Sequence, residues 1–387
     1  MLKNTNAYFP ALTGVRALAA YMVFVHHFNF FSVSIAGTFL HNFFAEMHVG
    51  VTMFFVLSGL LLTLRYADRS FTGPNEFYNY MVNRFAKIYP VYFIIITLNF
   101  VYYSNTHYFE TTPVKPGWLY YIASISFMRG FFADFYTAFV SQSWSLTVEE
   151  CFYILCPLFL LIYRKSKSGF LLIPVFLILL GLIFVRIFEG FPLGLFKDFR
   201  FLFNFTFFGR CLEFFAGMGV GLLYLNKKQV YFKFPLFTHV GLGSIILWIF
   251  ILSMFHTDDH YGDYFPAGIM VNNIFLPITG IAVFFWGLLT EKSWIRFLLQ
   301  SRVFLLLGKS SYCFYLLHLF IFVDLFRSYI SGNPFLIFIS INILAILFYK
   351  YLEHPINIHL KKRWRREVSS PLNKRIESVD LTSSRRT

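Results

Sequence analysis

Arg16 and His27 stand eleven residues apart inside ALTGVRALAAYMVFVHHFNFF, an apolar stretch long enough to cross a bilayer. Eleven steps of a helix come to three turns plus about 20°, which places both side chains on one face, roughly 16 Å apart along the axis. A charge at mid-membrane costs on the order of 2.5–3.5 kcal/mol on insertion scales, so such residues usually face a protein interior or a cavity. A neutral imidazole is the natural general base near pH 7. The pair therefore reads as a built site. Other readings of the same residues are an arginine that snorkels to the headgroups and a histidine bonded to a neighbouring helix. His26, the next residue, points about 100° away.

A second group is SWSLTVEE, Ser143–Glu150. Glu149 and Glu150 fall one or two turns into the membrane, where one carboxylate could orient or charge His27 as a base–orienter pair. The same string allows a capping box from Thr147 to Glu150, with Trp144 as an interfacial anchor. By span order these glutamates and His27 share the outer half of the bundle. In NRFAKIYP, Arg84 and Lys87 lie three apart on one helix face, suited either to phosphate groups or to anchoring at the inner surface. Ser58 and Gly59 in FFVLSGLLL suit close helix contact, or room for a narrow ligand. His318 and Glu353 are further polar residues at membrane depth, read as structural rather than catalytic.

The elements that hold these residues are helices. Of the 387 residues, 57% are hydrophobic and 13% charged, against about 25% charged in soluble domains. Apolar runs of roughly twenty residues recur along the whole chain, the length that spans a bilayer. The reading is an all-α polytopic membrane bundle of about ten transmembrane helices, near 9–31, 47–66, 86–104, 143–163, 169–188, 205–226, 236–255, 268–290, 303–326 and 334–353. The 55 Phe and 24 Tyr suit lipid-facing surface and interfacial belts. The first span lacks a basic leader and a cleavage site, so it is expected to stay in the protein.

Lys and Arg gather in alternate loops: Arg65 and Arg69, Arg84 and Lys87, Arg164 to Lys167, Lys227 to Lys233, and Lys292 to Arg302. The opposite loop HTDDHYGDYFPAG has none. The positive-inside rule then puts both termini in the cytoplasm. From Lys361 onward the chain carries nine Lys/Arg and three acids, about +6 of the +14 total. It reads as a basic cytoplasmic tail, 361–387, against anionic lipid, and not as a nucleic-acid arm. The four cysteines fall inside spans without metal spacing, so neither disulfide nor metal is expected. No P-loop, dinucleotide fingerprint or tandem repeat appears. No soluble domain is expected beyond the bundle.

Taken in order, LTGVRALAAYMVFVHH, FFVLSGLLL, NRFAKIYP, SWSLTVEECFY, LGKSSYCFYLLHLF and YLEHP resemble the acyltransferase-3 family of integral membrane acyltransferases, over residues 8 to 356. The resemblance implies a transmembrane acyltransferase domain over 1–360. It would move an acyl group, usually acetyl, from cytoplasmic acyl-coenzyme A to a hydroxyl of an envelope or exported saccharide entering from the other face. No metal is implied. The family's Arg/Lys-x10-His motif falls on Arg16 and His27, making His27 the implied base and Arg16 its partner, with Glu149 the motif acid. The implied donor-binding residues are Arg84, Lys87, Ser58 and Gly59; Glu150, His26, Trp144 and His318 are secondary candidates. One departure is Lys87, where the family has a second arginine: the charge stays but the bidentate fork is lost. Some relatives carry an exported esterase-like domain, and without one, direct transfer is expected. The expected location is a bacterial inner membrane. The rival readings are a transporter or flippase for a glycan or lipid-linked saccharide, which would call for repeats and broken helices, and a scaffold with no use for Arg16 and His27.

Overall fold

Backbone polar groups in hydrocarbon must be satisfied within the segment, and this chain meets that demand with helices. The computed structural model describes residues 8–365, except 32, 70, 72, 137 and 227–233. The lysines at 227, 228 and 233 and most of the basic tail therefore lie outside the described residues. Among the described residues no named strand forms, and Phe132 and Leu195 make an isolated bridge.

Eight helices are long and apolar enough to cross a membrane, or nine if one sharply bent pair counts as a single span. The ten expected segments are all helical, but two fail as simple spans. The first helix, α1 (Pro10–His27), has 18 residues and is not among the eight, because Arg16 and two histidines lower its mean hydropathy. The segment expected at 303–326 breaks into Arg302–Leu317 and Ile321–Tyr329, bent by 83°. Phe320 sits in the break at φ 62°, a conformation that cannot continue a right-handed helix.

The helices that frame the site are α2 (Gly50–Tyr66), α3 (Pro74–Ser104), α4 (Trp144–Lys165) and α5 (Lys167–Ile187). The short α6 (Phe199–Phe205) leads into α7 (Phe207–Asn226). Then follow α8 (Leu236–Phe255), α9 (Pro266–Thr290) with a π-helical stretch at Val271–Ile281, and α10 (Arg302–Leu317). Last is α11 (Pro334–Trp364), π-helical at Tyr349–Glu353. Their starts carry the expected signals: Pro10 and Pro74 at first-turn positions, the Ser166 hydroxyl accepting from the Gly169 N–H at 3.0 Å, and Asp198 from Phe201 at 2.8 Å.

Small residues let the central helices touch backbone to backbone. A Cβ on Gly59 would collide with the Phe214 carbonyl, and one on Gly217 with that of Val56, so α2 and α7 pack without space between them. Gly308 brings α10 equally close to the Thr13 carbonyl of α1. The two described chain ends reach one end of the bundle, where the Arg365 guanidinium donates to Asn83 Oδ1 at 2.7 Å. We call this the proximal end. At the distal end Arg129, 1% exposed, donates to the carbonyls of Phe135, Ala138 and Phe139. Burial pulls its guanidinium down to about 10, still charged near neutrality.

Candidate functional site

Two of the cavities that meet α1 lie at its opposite ends. The proximal one, about 490 Å³, is lined by Arg16, Arg65, Arg84, Lys87, Glu149 and Lys361 among others. The distal one, about 300 Å³, takes His26 and His27 from α1, with His48, Gln142, Trp144, Asn204, Arg210 and Asp263. The helical period carries Arg16 and His27 to separate chambers, one residue to each.

His27 donates from Nδ1 to the carbonyl of Val23 at 2.9 Å. That bond fixes the tautomer, with the lone pair on Nε2. Its ring centre lies 4.7 Å from that of His26 and 5.1 Å from that of His318. His318 is fully buried, donates from Nδ1 to Tyr315 at 2.7 Å, and has an unpartnered Nε2. His26 is tied down separately, donating to the Ala45 carbonyl at 2.5 Å and stacking on His48.

The expected pairing of Glu149 with His27 is not what the structure shows. Glu149 lines the proximal cavity with Arg16 and accepts from the Ser58 hydroxyl at 2.6 Å. The shared depth inferred from span order fails although α4 begins at Trp144, where the span was expected to start, because Glu149, five residues in, faces the chamber of Arg16. The 3-10 turn at Ser141–Ser143 ahead of it lines the distal cavity through Ser141 and Gln142. The capping box is absent as well. Helix α4 begins at Trp144 with no side-chain cap, and Thr147, already one turn in, accepts from the Gly130 N–H at 3.0 Å. Trp144 meets the distal cavity instead of only anchoring the helix, and its ring packs edge-on against Phe205 at 5.0 Å. Glu150, unlike Glu149, is not among the residues lining either cavity.

Arg84 and Lys87 both reach the proximal cavity, but in different states. Lys87 pairs with the buried carboxylate of Glu353, which also accepts from the Cys313 thiol at 3.1 Å. Arg84 lies over the Tyr153 ring at 5.8 Å and its Nε has no partner. Ser58 serves the site through Glu149. Gly59 leaves no room for a ligand, because the α7 backbone fills the space where its side chain would be.

Several site residues escaped the sequence reading. Arg210, 4% exposed, lines the distal cavity and pairs with Glu213 at 2.7 Å. It also donates to Thr52 at 2.9 Å and to the Asn204 carbonyl at 3.1 Å. The signal was present in FFGRCLEFFAG, two charges three apart in an apolar run. Thr52 in turn donates to Asn272 at 3.0 Å, within the π-helical stretch. Beside the cavity His48 Nε2 lies 3.0 Å from Asp263 Oδ2, and burial pushes the Asp263 carboxyl up to about 6. The buried Glu46 accepts from His256 at 2.7 Å and from the Gly262 N–H at 2.8 Å. Among the described residues no group of His, Cys, Asp and Glu could hold a metal ion.

Known proteins are similar to this chain in sequence. The family model described as an acyltransferase domain, acyltransferase-3, matches residues 9–349, and the chain belongs to that family. A Staphylococcus aureus (strain COL) protein named "Putative O-acetyltransferase" is 26% identical over 374 residues, covering 90% of this chain and 57% of its own length. The "Putative peptidoglycan O-acetyltransferase" of Bacillus subtilis is 24% identical over 393 residues, 94% of this chain and 57% of its own. The peptidoglycan O-acetyltransferase of Listeria monocytogenes is 28% identical over 192 residues, 47% of this chain and 29% of its own. The chain thus spans little more than half the length of the first two. No solved structure matches.

Proposed function

We propose that this protein moves an acyl group, most simply acetyl, from acyl-coenzyme A to a hydroxyl of a cell-envelope saccharide. The observation that carries this reading is the pair of cavities on one helix: a cation-lined chamber at Arg16 and a second chamber at His27. Coenzyme A is a polyanion, and Arg16, Arg65, Arg84 and Lys361 supply the matching charge. Lys87 contributes less, since Glu353 offsets it. With both termini cytoplasmic, the donor enters from the cytoplasm and the saccharide from the opposite face, in a bacterial inner membrane.

In the transfer step, His27 Nε2 takes the proton of the acceptor hydroxyl as its oxygen attacks the thioester carbonyl carbon. A C–O bond forms, the C–S bond breaks, and the leaving thiolate takes up the proton, so His27 returns to its starting state. General-base assistance of this kind is worth about 10²–10⁴-fold. Arg16 holds positive charge on the donor side, and Glu149, fixed by Ser58, sets its orientation. The transporter reading draws on the 83° break after α10. Family membership weighs against it.

The test is release of coenzyme A thiol by the purified protein given acetyl-coenzyme A and envelope saccharide, with acetyl appearing on the saccharide. Folded wild-type protein that releases no thiol with any envelope fraction overturns the proposal.

A further inference from the structure

A further cavity, about 460 Å³, opens between α5, α6 and α9 and has no part in the transfer step. Arg200, Tyr264 and Pro266 stand at one end of it, where α6 and α9 begin. Ile269, Met270 and Ile274 follow along α9. Pro266 and Ile274 are eight residues apart, so the slot runs about 12 Å along the helix. Met270 is 50% exposed, which leaves the slot open to the surrounding lipid. Asn273 is the polar side chain within it, and its needs are met. It donates to the Phe203 carbonyl at 2.7 Å and accepts from Asn272 at 3.0 Å. The depth of the slot therefore suits hydrocarbon.

The mouth is different. Arg200 donates from Nε to the Tyr264 carbonyl at 3.1 Å, and its guanidinium lies 3.4 Å from the centre of the Tyr264 ring. Those contacts fix the group and leave its Nη donors for an anion. Arg186 pairs with Glu189 at 3.7 Å, whereas Arg200 has no carboxylate partner among the described residues. An acyl chain gains little by leaving lipid for an apolar groove, because both are equally apolar. The headgroup contact must then decide which lipid stays, and a guanidinium fork matches phosphate.

We infer that this slot holds one acyl chain of an anionic phospholipid, with its phosphate on Arg200, and that the lipid braces the distal cavity. One wall serves both chambers. Phe203, Tyr264 and Asn273 face the slot, while their sequence neighbours Asn204, Asp263 and Asn272 line the distal cavity.

The experiment uses the full chain, stripped of lipid in detergent and titrated with phosphatidylglycerol or phosphatidylcholine of matched chains. Native mass spectrometry counts bound lipid, and thermal unfolding reads the brace. Wild type is expected to hold one phosphatidylglycerol about tenfold more tightly than phosphatidylcholine, the value of one charge-assisted contact, and to melt at a higher temperature with it. Arg200→Gln is expected to lose that preference. Lys197→Gln, which removes an equal charge from the exposed loop before α6, is expected to keep it within about twofold. Ile269→Trp, which fills the slot and keeps the arginine, is expected to lose the bound lipid. Glycerol phosphate, a headgroup without chains, is expected not to compete. Equal retention of the two lipids, or a melting temperature that phosphatidylglycerol leaves unchanged, overturns the inference. So does an unchanged preference in Arg200→Gln, full retention in Ile269→Trp, or competition by glycerol phosphate. These readouts do not involve acyl transfer, so their failure leaves the transferase reading standing.

Discussion

At the residue scale, His26 and His27 are adjacent, share a cavity and differ in their bonds. His27 is fixed by its own helix through Val23, whereas His26 bonds Ala45 and stacks on His48. Replacing His27 by Ala should therefore leave the fold intact and lower turnover by about 10²–10⁴-fold, the value of a general base. His26→Ala should lower the melting temperature more than turnover. Paired turnover and thermal-unfolding measurements check this, and equal loss of turnover in two well-folded variants would remove His27 as the unique base. Glu149→Gln preserves the acceptor for Ser58 but removes the charge facing Arg16. It should reduce turnover while the protein stays folded. Full activity in that variant would reduce Glu149 to a packing partner of Ser58.

At the scale of elements, the site depends on helices that touch at glycines. Gly308 contacts neither cavity, yet a methyl group there strikes the Thr13 carbonyl of α1. Overpacking of this sort costs about 1–3 kcal/mol. Gly308→Ala should lower the melting temperature and activity together by moving α1, while Gly219→Ala, which meets nothing within 4 Å, should leave both near wild type. Thermal unfolding in detergent beside thiol release reads the pair. The same scale explains what the sequence made legible. Arg16 and His27 stood out because the helical period is fixed and charges in apolar runs are rare. The place of Glu149 was lost because span order tells which end a helix enters from, and not which chamber a residue five positions along it faces. The break at Phe320 was hidden because apolar residues continue through it. Gln142 and Asn204 were invisible as residues of the distal cavity, since they come from segments whose meeting only the folded chain shows.

For the whole molecule, sidedness is the deciding property. The two described chain ends and the cation-lined cavity share the proximal end; under the proposed topology, with that end cytoplasmic, acetyl-coenzyme A should support reaction only from the cytoplasmic side of sealed, oriented vesicles. Donor use from the exported side alone would invert the proposed topology. At the other end, Arg129 gathers three backbone carbonyls around one guanidinium. The chain it gathers runs on to Ser141, Gln142 and Trp144 on the cavity wall. The conformational entropy of that segment is thereby spent when the protein folds and not when a sugar arrives. On the proposed function the distal chamber is a preformed mould, and a looser roof is expected to weaken discrimination between sugars before it weakens the chemistry.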